Sequence, residues 1–129
     1  MLKIEEVHTS AGVQGEYIVL QNQGLLTVNL RGWALCTDAF LDGDETQLVN
    51  GLYVFREEEQ IKPYTRVVLF TGSGVNGWVP TIDGRLAYCA YWGKKERIWT
   101  LANYVHVIHL FTSKKVVHSE STALTLPQM

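Results

Sequence analysis

Apolar and polar residues alternate with a period of two through most of this chain. In "EYIVLQN", Ile18 and Leu20 share one face and Tyr17 and Val19 the other. Such alternation marks a half-buried strand, because successive strand side chains point to opposite faces. "VNLRGWALC" alternates through Val28 and Leu30, meets Gly32, and resumes with shifted parity at Trp33 and Leu35. A one-residue shift at a glycine predicts a β-bulge. "LYVF", "TRVVLF", "RLAYCAYW" and "YVHVIHLF" follow, rich in β-branched and aromatic residues. The clusters "QNQG", "TDAFLDGDET", "KPYT", "TGSGVNG", "IDGR" and "TSKK" separate them as turns. Strands at this spacing predict an all-β, antiparallel sandwich of roughly seven to nine strands.

Two stretches carry a second pattern. In "TQLVNGLYVFREEEQ", Leu48, Leu52 and Phe55 also match a helical period, but Gly51 disfavours a helix and "YVF" is strand material, so a strand is expected. "LFTGSGVNG" places Gly72, Gly74 and Gly77 in G-x-G-x-x-G spacing directly after an expected strand. A dinucleotide site requires a helix next, because its N-terminal N–H groups hold the pyrophosphate. Here "WVPTIDG" follows, with Pro80 and Gly84 breaking any helix. The glycines are therefore read as a loop of positive φ or close backbone approach, and no cofactor is expected.

At 129 residues the chain is expected to fold as one domain, residues 1–121, with a C-terminal tail over residues 122–129. A net charge of −2 lacks the strong basic excess of a dedicated nucleic-acid protein. "MLKIEEVHTS" has acids where a signal peptide has its apolar stretch, and no apolar run reaches transmembrane length. The pattern therefore predicts no membrane insertion and leaves the compartment open. Cys36 and Cys89 are read as small buried thiols, with an inter-sheet disulfide as the alternative.

"GEYIVLQNQG", "VNLRGWALC", "IKPYTRVVLFTGSG" and "IWTLANYVHVIHLFTSKKVVHS" together resemble the lamin tail domain family, over roughly residues 2 to 120. Glu16, Ile18, Leu20 and Asn22 are similar to its "GE-aromatic-I-x-L-x-N" strand, and Gly32, Trp33 and Leu35 to its "GW-x-L" signature. Pro63 resembles the proline of its "L-x-P-G" turn and Trp99 the tryptophan before its late hairpin. Tyr64 stands where the family has glycine, Asn103 and Tyr104 where a Gly-Asp pair is common, and Lys114 and Lys115 where a turn glycine sits. The resemblance implies an immunoglobulin-like sandwich without the antibody-type cysteine–tryptophan–cysteine pin, since Trp33 precedes Cys36.

Candidate chemistry is sparse. His106 and His109 form H-x-x-H, but on a strand they face opposite ways, and His8 or His118 would have to join from elsewhere, so no metal site is expected. Asp38, Asp42, Asp44 and Glu45 crowd one loop that could hold calcium weakly, although the EF-hand spacing is absent. Glu57, Glu58 and Glu59 read as a solvated turn. Glu16 shares the parity of Ile18 and Leu20 and is read as a structural clasp, because an unpaired buried charge is costly. Ser73 lacks the G-x-S-x-G setting of a nucleophile, and no catalytic residue is assigned.

Two surface features remain. Lys94, Lys95 and Arg97, with Lys114 and Lys115, could form a basic patch able to touch phosphates. Among Trp78, Tyr88, Tyr91, Trp92 and Tyr104, most belong to the core, but Trp78, Tyr91 and Trp92 are candidates for exposed rings. "YVHVIHLF" is apolar on both faces, hence either central or covered by a partner, and self-association through an edge strand is an expectation. The resemblance implies a non-catalytic interaction module with a protein partner. DNA binding through the basic patch, or sugar binding on exposed rings, is the alternative.

Overall fold

The alternation places Glu16, Ile18, Leu20 and Asn22 on one face of a strand, and all four side chains are fully buried. That strand, β2 (Tyr17–Asn22), pairs antiparallel with β1 (Leu2–His8) and with β7 (Arg66–Phe70). The computed structural model describes residues 1–43, 51–102 and 104–110 and the strand Val116–Ala123. Expectations resting on Asp44, Glu45, Leu48, Asn103, Lys114, Lys115, the His118 side chain and residues 124–129 lie outside what is described.

The architecture is the expected immunoglobulin-like β-sandwich. One sheet runs β1-β2-β7-β9-β8, with β8 at Gly77–Pro80 and β9 at Leu86–Tyr91. The other runs β11-β10-β4-β5, with β4 at Trp33–Thr37, β5 at Leu52–Val54, β10 at Tyr104–Leu110 and β11 at Val116–Ala123. These sheets account for the upper end of the expected strand number. A two-residue ladder, β3 (Val28–Asn29) with β6 (Gln60–Ile61), adds a third small sheet. The pairing is not wholly antiparallel, as β7 and β9 run parallel because the β8 hairpin reverses the chain between them. The contested segment supplies β5, and Phe55 after it is buried.

The expected bulge at Gly32 is instead a turn between strands of different sheets. Trp33 donates its N–H to the Leu30 carbonyl at 3.1 Å, and Gly32 sits at the third turn position with φ +89°. That conformation is open to glycine at little cost and carries the chain from β3 into β4, which accounts for the parity shift.

Both sheets contribute to one core, including Ile18, Leu20, Val67, Leu69, Tyr88 and Ala90 from the first and Trp33, Leu35, Val105 and Val107 from the second. The two-faced apolarity of β10 has a local cause. It lies between β4 and β11, and Ile108 joins Ala34 and Cys36 in a second cluster against Phe40 of the short helix α1 (Asp38–Leu41). Cys36 and Cys89 lie on different sheets, both buried and both free, so the inter-sheet disulfide is not formed. Burial pushes the Cys36 thiol up to about 12. Among the described residues no helix is long and apolar enough to cross a membrane.

The ends of β2 hold the loops in place. Glu16 Oε1 accepts from the Thr71 hydroxyl at 2.5 Å and from the N–H groups of Ile98 (3.0 Å) and Trp99 (3.1 Å), while Oε2 accepts from the Thr100 N–H at 2.8 Å. These donors cap the 3-10 turn Trp99–Leu101 and fix Trp99, fully buried, in the core. At the other end Asn22 Nδ2 donates to the carbonyls of Leu26 and Ile61, both at 2.9 Å, and Oδ1 accepts from the Gly24 N–H at 3.0 Å.

Burial alone raises the Glu16 carboxyl, but the hydrogen bonds from Thr100, Thr71 and Ile98 outweigh it and hold the group below its ordinary value. Its contribution is thus complete above the unfolded value of about 4.3 and is lost as pH falls through the lower folded value. We expect Glu16→Gln to cost about 1–3 kcal/mol at neutral pH, since an amide nitrogen cannot accept from the Thr100 N–H. The gap between variant and wild type should narrow on acidification, as read by urea denaturation at neutral and acid pH.

Candidate functional site

The basic residues and the aromatic residues occupy different parts of the molecule. Lys94, Lys95 and Arg97 line a cavity of about 660 Å³ together with Asp38, Glu96 and Leu101. Two of these cations already have intramolecular roles: Lys94 Nζ sits 5.2 Å from the Trp92 ring centroid, and Arg97 Nη1 donates to the Ser10 carbonyl at 3.0 Å. Asp38 and Glu96 reduce the positive field further.

Trp92 packs against Tyr53 and Trp99, with ring centroids 5.5 and 5.4 Å away, at the margin of the core. Tyr91 belongs to a ladder across the outer face of the five-stranded sheet. His8 stacks on Tyr17 at 4.5 Å, Tyr17 meets Phe70 at 5.6 Å, and Phe70 stacks on Tyr91 at 4.8 Å. A Cβ on Gly74 would collide with the Tyr91 ring, so Gly74 is needed for close approach. Gly72, Gly74 and Gly77 all have negative or extended φ, and the positive-φ reading of that loop is corrected. Tyr17, Phe70 and Tyr91 are half-buried within the ladder, and His8 at its end is exposed.

His106 and His109 lie on opposite faces of β10: His106 is paired across to Cys36, and His109 stacks on Trp33 at 4.5 Å. The geometry therefore prevents them from sharing an ion. The acidic run is more ordered than a solvated turn. Glu57 is half-buried and its Oε1 accepts the Arg56 N–H at 3.1 Å, Glu58 pairs with Arg31 at 2.9 Å, and Glu59 Oε2 accepts the Trp78 indole N–H at 3.1 Å. Burial and the Glu57 carboxylate push the Tyr88 hydroxyl up to about 12.

Trp78 borders a second groove, of about 670 Å³, lined by Lys62, Pro63, Tyr64, Arg66, Thr81, Asp83, Arg85 and Leu86 among others. Its volume falls in the range of ligand sites. Trp78 is fixed by Glu59 and by an edge-on contact with Tyr88 at 5.4 Å. Tyr64 faces it from the turn Lys62–Thr65, closed by the Thr65 N–H on the Lys62 carbonyl at 3.1 Å. Among the described residues Tyr64 is the non-glycine residue of positive φ, at 66°, and is 58% exposed. Its N–H donates to the Asn22 carbonyl at 2.7 Å and its carbonyl accepts from Gln21 Nε2 at 3.2 Å. Opposite, the β8–β9 hairpin turn is held by Thr81 and Arg85, with the Thr81 hydroxyl and Arg85 N–H on Asp83. Sequence reasoning found Trp78 but missed Tyr64, Lys62, Arg66 and Arg85. The available signal was an aromatic residue where a turn favours glycine.

Compared with known proteins, the chain matches no family model and no curated protein sequence.

A non-glycine residue in the left-handed region costs about 1–2 kcal/mol, partly offset by the entropy glycine loses on folding. Tyr64→Gly should therefore stabilise the fold by about 0.5–1 kcal/mol, read as a higher urea midpoint with an unchanged slope. A residue that stabilises the protein when removed is a mark of a functional position.

Proposed function

We propose that this chain is a non-catalytic interaction module that docks a protein partner in the groove between Tyr64 and Trp78. The observation carrying this reading is the Trp78 indole held by Glu59 before any partner arrives, in one groove with the exposed Tyr64, whose backbone is fixed, and rimmed by Lys62, Arg66 and Arg85. Aromatic and arginine side chains dominate interface hot spots, and anchors already fixed lose little entropy on binding. The exposed apolar residue Leu86 extends the groove wall beside them. Likeness to lamin tail domains, carried by the β2 and Trp33 motifs, supports the same class by analogy.

The competing readings have less support. The Lys94–Arg97 cations are engaged within the chain and share their cavity with two acids, which is poor for nucleic acid. A sugar platform is weakened because Trp92 packs on the core and Tyr91 is covered by Phe70 and Gly74. Pairing through the edges of the five-stranded sheet is also disfavoured. Strand β1 carries an irregularity between Ile4 and Glu6 and charged Lys3, Glu5 and Glu6, and β8 carries Pro80, both devices that blunt an edge.

A photo-cross-linking amino acid at position 64, with position 68 on the opposite sheet face as control, tests the reading in lysate of the source cells. Nuclease-resistant protein adducts are expected at 64 and not at 68, and Trp78→Ala should reduce them about tenfold or more. Equal adducts at both positions, or adducts only with nucleic acid, would overturn it.

A further inference from the structure

We infer that one end of the sandwich docks on the surface of a lipid bilayer, without crossing it, through Leu25, Leu26 and Ile82. The inference concerns the loop tips beyond the groove and does not rest on the docking reading. Sheet register gathers these tips. Leu2 pairs with Asn22, Gln21 with Arg66, Val67 with Tyr88 and Pro80 with Leu86. The loop after β2, the turn before β7 and the β8–β9 hairpin therefore leave the five-stranded sheet at one end. In the order β1-β2-β7-β9-β8, the loop and the hairpin stand two to three strands apart, roughly 10–14 Å. Leu25 and Leu26 are 87% and 78% exposed, and Ile82 is fully exposed. Ile82 is the second residue of a turn closed by the Gly84 N–H on the Thr81 carbonyl at 3.0 Å. Such turn positions favour glycine, proline and small polar residues, so a large aliphatic side chain there serves neither the turn nor the core.

The chemistry of this end changes with depth in the order of a bilayer interface. The aliphatic tips stand outermost. Trp78, four residues before Ile82 on the hairpin strand, lies up to about 13 Å further back along an extended chain. The cations Lys62, Arg66 and Arg85 and the exposed ring of Tyr64 share its groove. In a membrane, aliphatic side chains enter the acyl boundary, while Trp, Tyr and the heads of Lys and Arg stay at the headgroups. None of the three tip residues lines the groove, and separate convex tips offer a folded protein little continuous area. A fluid bilayer closes round each one. The backbone at the tips also carries its own hydrogen bonds, which lowers the cost of leaving water. Asn22 Nδ2 donates to the Leu26 carbonyl at 2.9 Å and Oδ1 accepts from the Gly24 N–H at 3.0 Å, while Thr81 bonds both the Gly84 N–H and the Arg85 carbonyl. The cations are matched by Asp83 and, on Arg66, by Glu5, so burial of the tips carries the affinity and lipid charge adds little.

The test is flotation of the chain with vesicles of phosphatidylcholine alone and of phosphatidylcholine mixed with phosphatidylserine. We expect the chain to float with both, with partition coefficients within about threefold of each other and little changed by salt. Leu25→Asn with Leu26→Asn, or Ile82→Asn alone, should lower partitioning about tenfold or more. Val75→Asn, on the β7–β8 loop at the opposite end of the sheet, should leave it unchanged. All four positions are exposed, and an unchanged urea midpoint shows that each variant folds. No flotation with either vesicle overturns the inference, as does equal flotation of the tip variants. Flotation confined to the charged vesicles and lost in salt overturns it in favour of the cations. Cross-linking at position 64 reads protein adducts and decides the groove reading separately, whichever way the flotation falls.

Discussion

Strand β2 is held at both ends by a buried polar side chain, and the loops of the sandwich depend on that arrangement. A carboxylate out of water is costly unless every lone pair finds a donor. Glu16 meets the condition with the Thr71 hydroxyl and three successive backbone N–H groups of residues 98–100. Those N–H groups would otherwise be orphaned at the start of a short 3-10 turn, so each side of the contact solves the other's problem. Asn22 does the same for a different set of loops, joining Leu26, Ile61 and Gly24.

The candidate groove inherits its geometry from this frame. The Asn22 carbonyl accepts the Tyr64 N–H, so a buried polar residue of the core sets the backbone of an exposed aromatic. On the other wall, Glu59 fixes the Trp78 indole and the Thr81–Arg85 turn fixes the charged rim. Glu59 thus orders the Trp78 indole within the chain itself, which limits the side-chain entropy left to lose at that position. The strain at Tyr64 persists because the hydrogen bonds on either side of it over-determine the turn.

The same logic separates what was legible in the chain from what was not. The period-2 alternation identified β2, β4, β5, β7, β9 and β10 but not β1, β8 or β11, whose alternation is broken by charges, glycine and proline, and the parity of Glu16 alone was enough to read a clasp, because burial of a charge admits few other meanings. Trp33 after a glycine located the start of β4, although a turn between sheets and a bulge within one strand leave the same parity shift in a sequence. The parallel pairing of β7 and β9 had no local sign, since it follows from where the intervening hairpin folds. Likewise Glu57, Glu58 and Glu59 look like a solvated run in sequence, and only their neighbours Tyr88, Arg31 and Trp78 show otherwise.

By itself, the sequence determined the all-β class, most strand positions and the buried polar anchor, because each depends on side-chain alternation or on the cost of burying one group. The tertiary structure alone decided that Trp92 belongs to the core margin, that Lys94 and Arg97 are engaged within the chain, and that Tyr64, Trp78, Lys62, Arg66 and Arg85 meet in one groove. These residues come from a turn, an edge strand and a hairpin separated along the chain. Their proximity is created by sheet order and loop closure, which are long-range contacts that no local pattern of residues encodes.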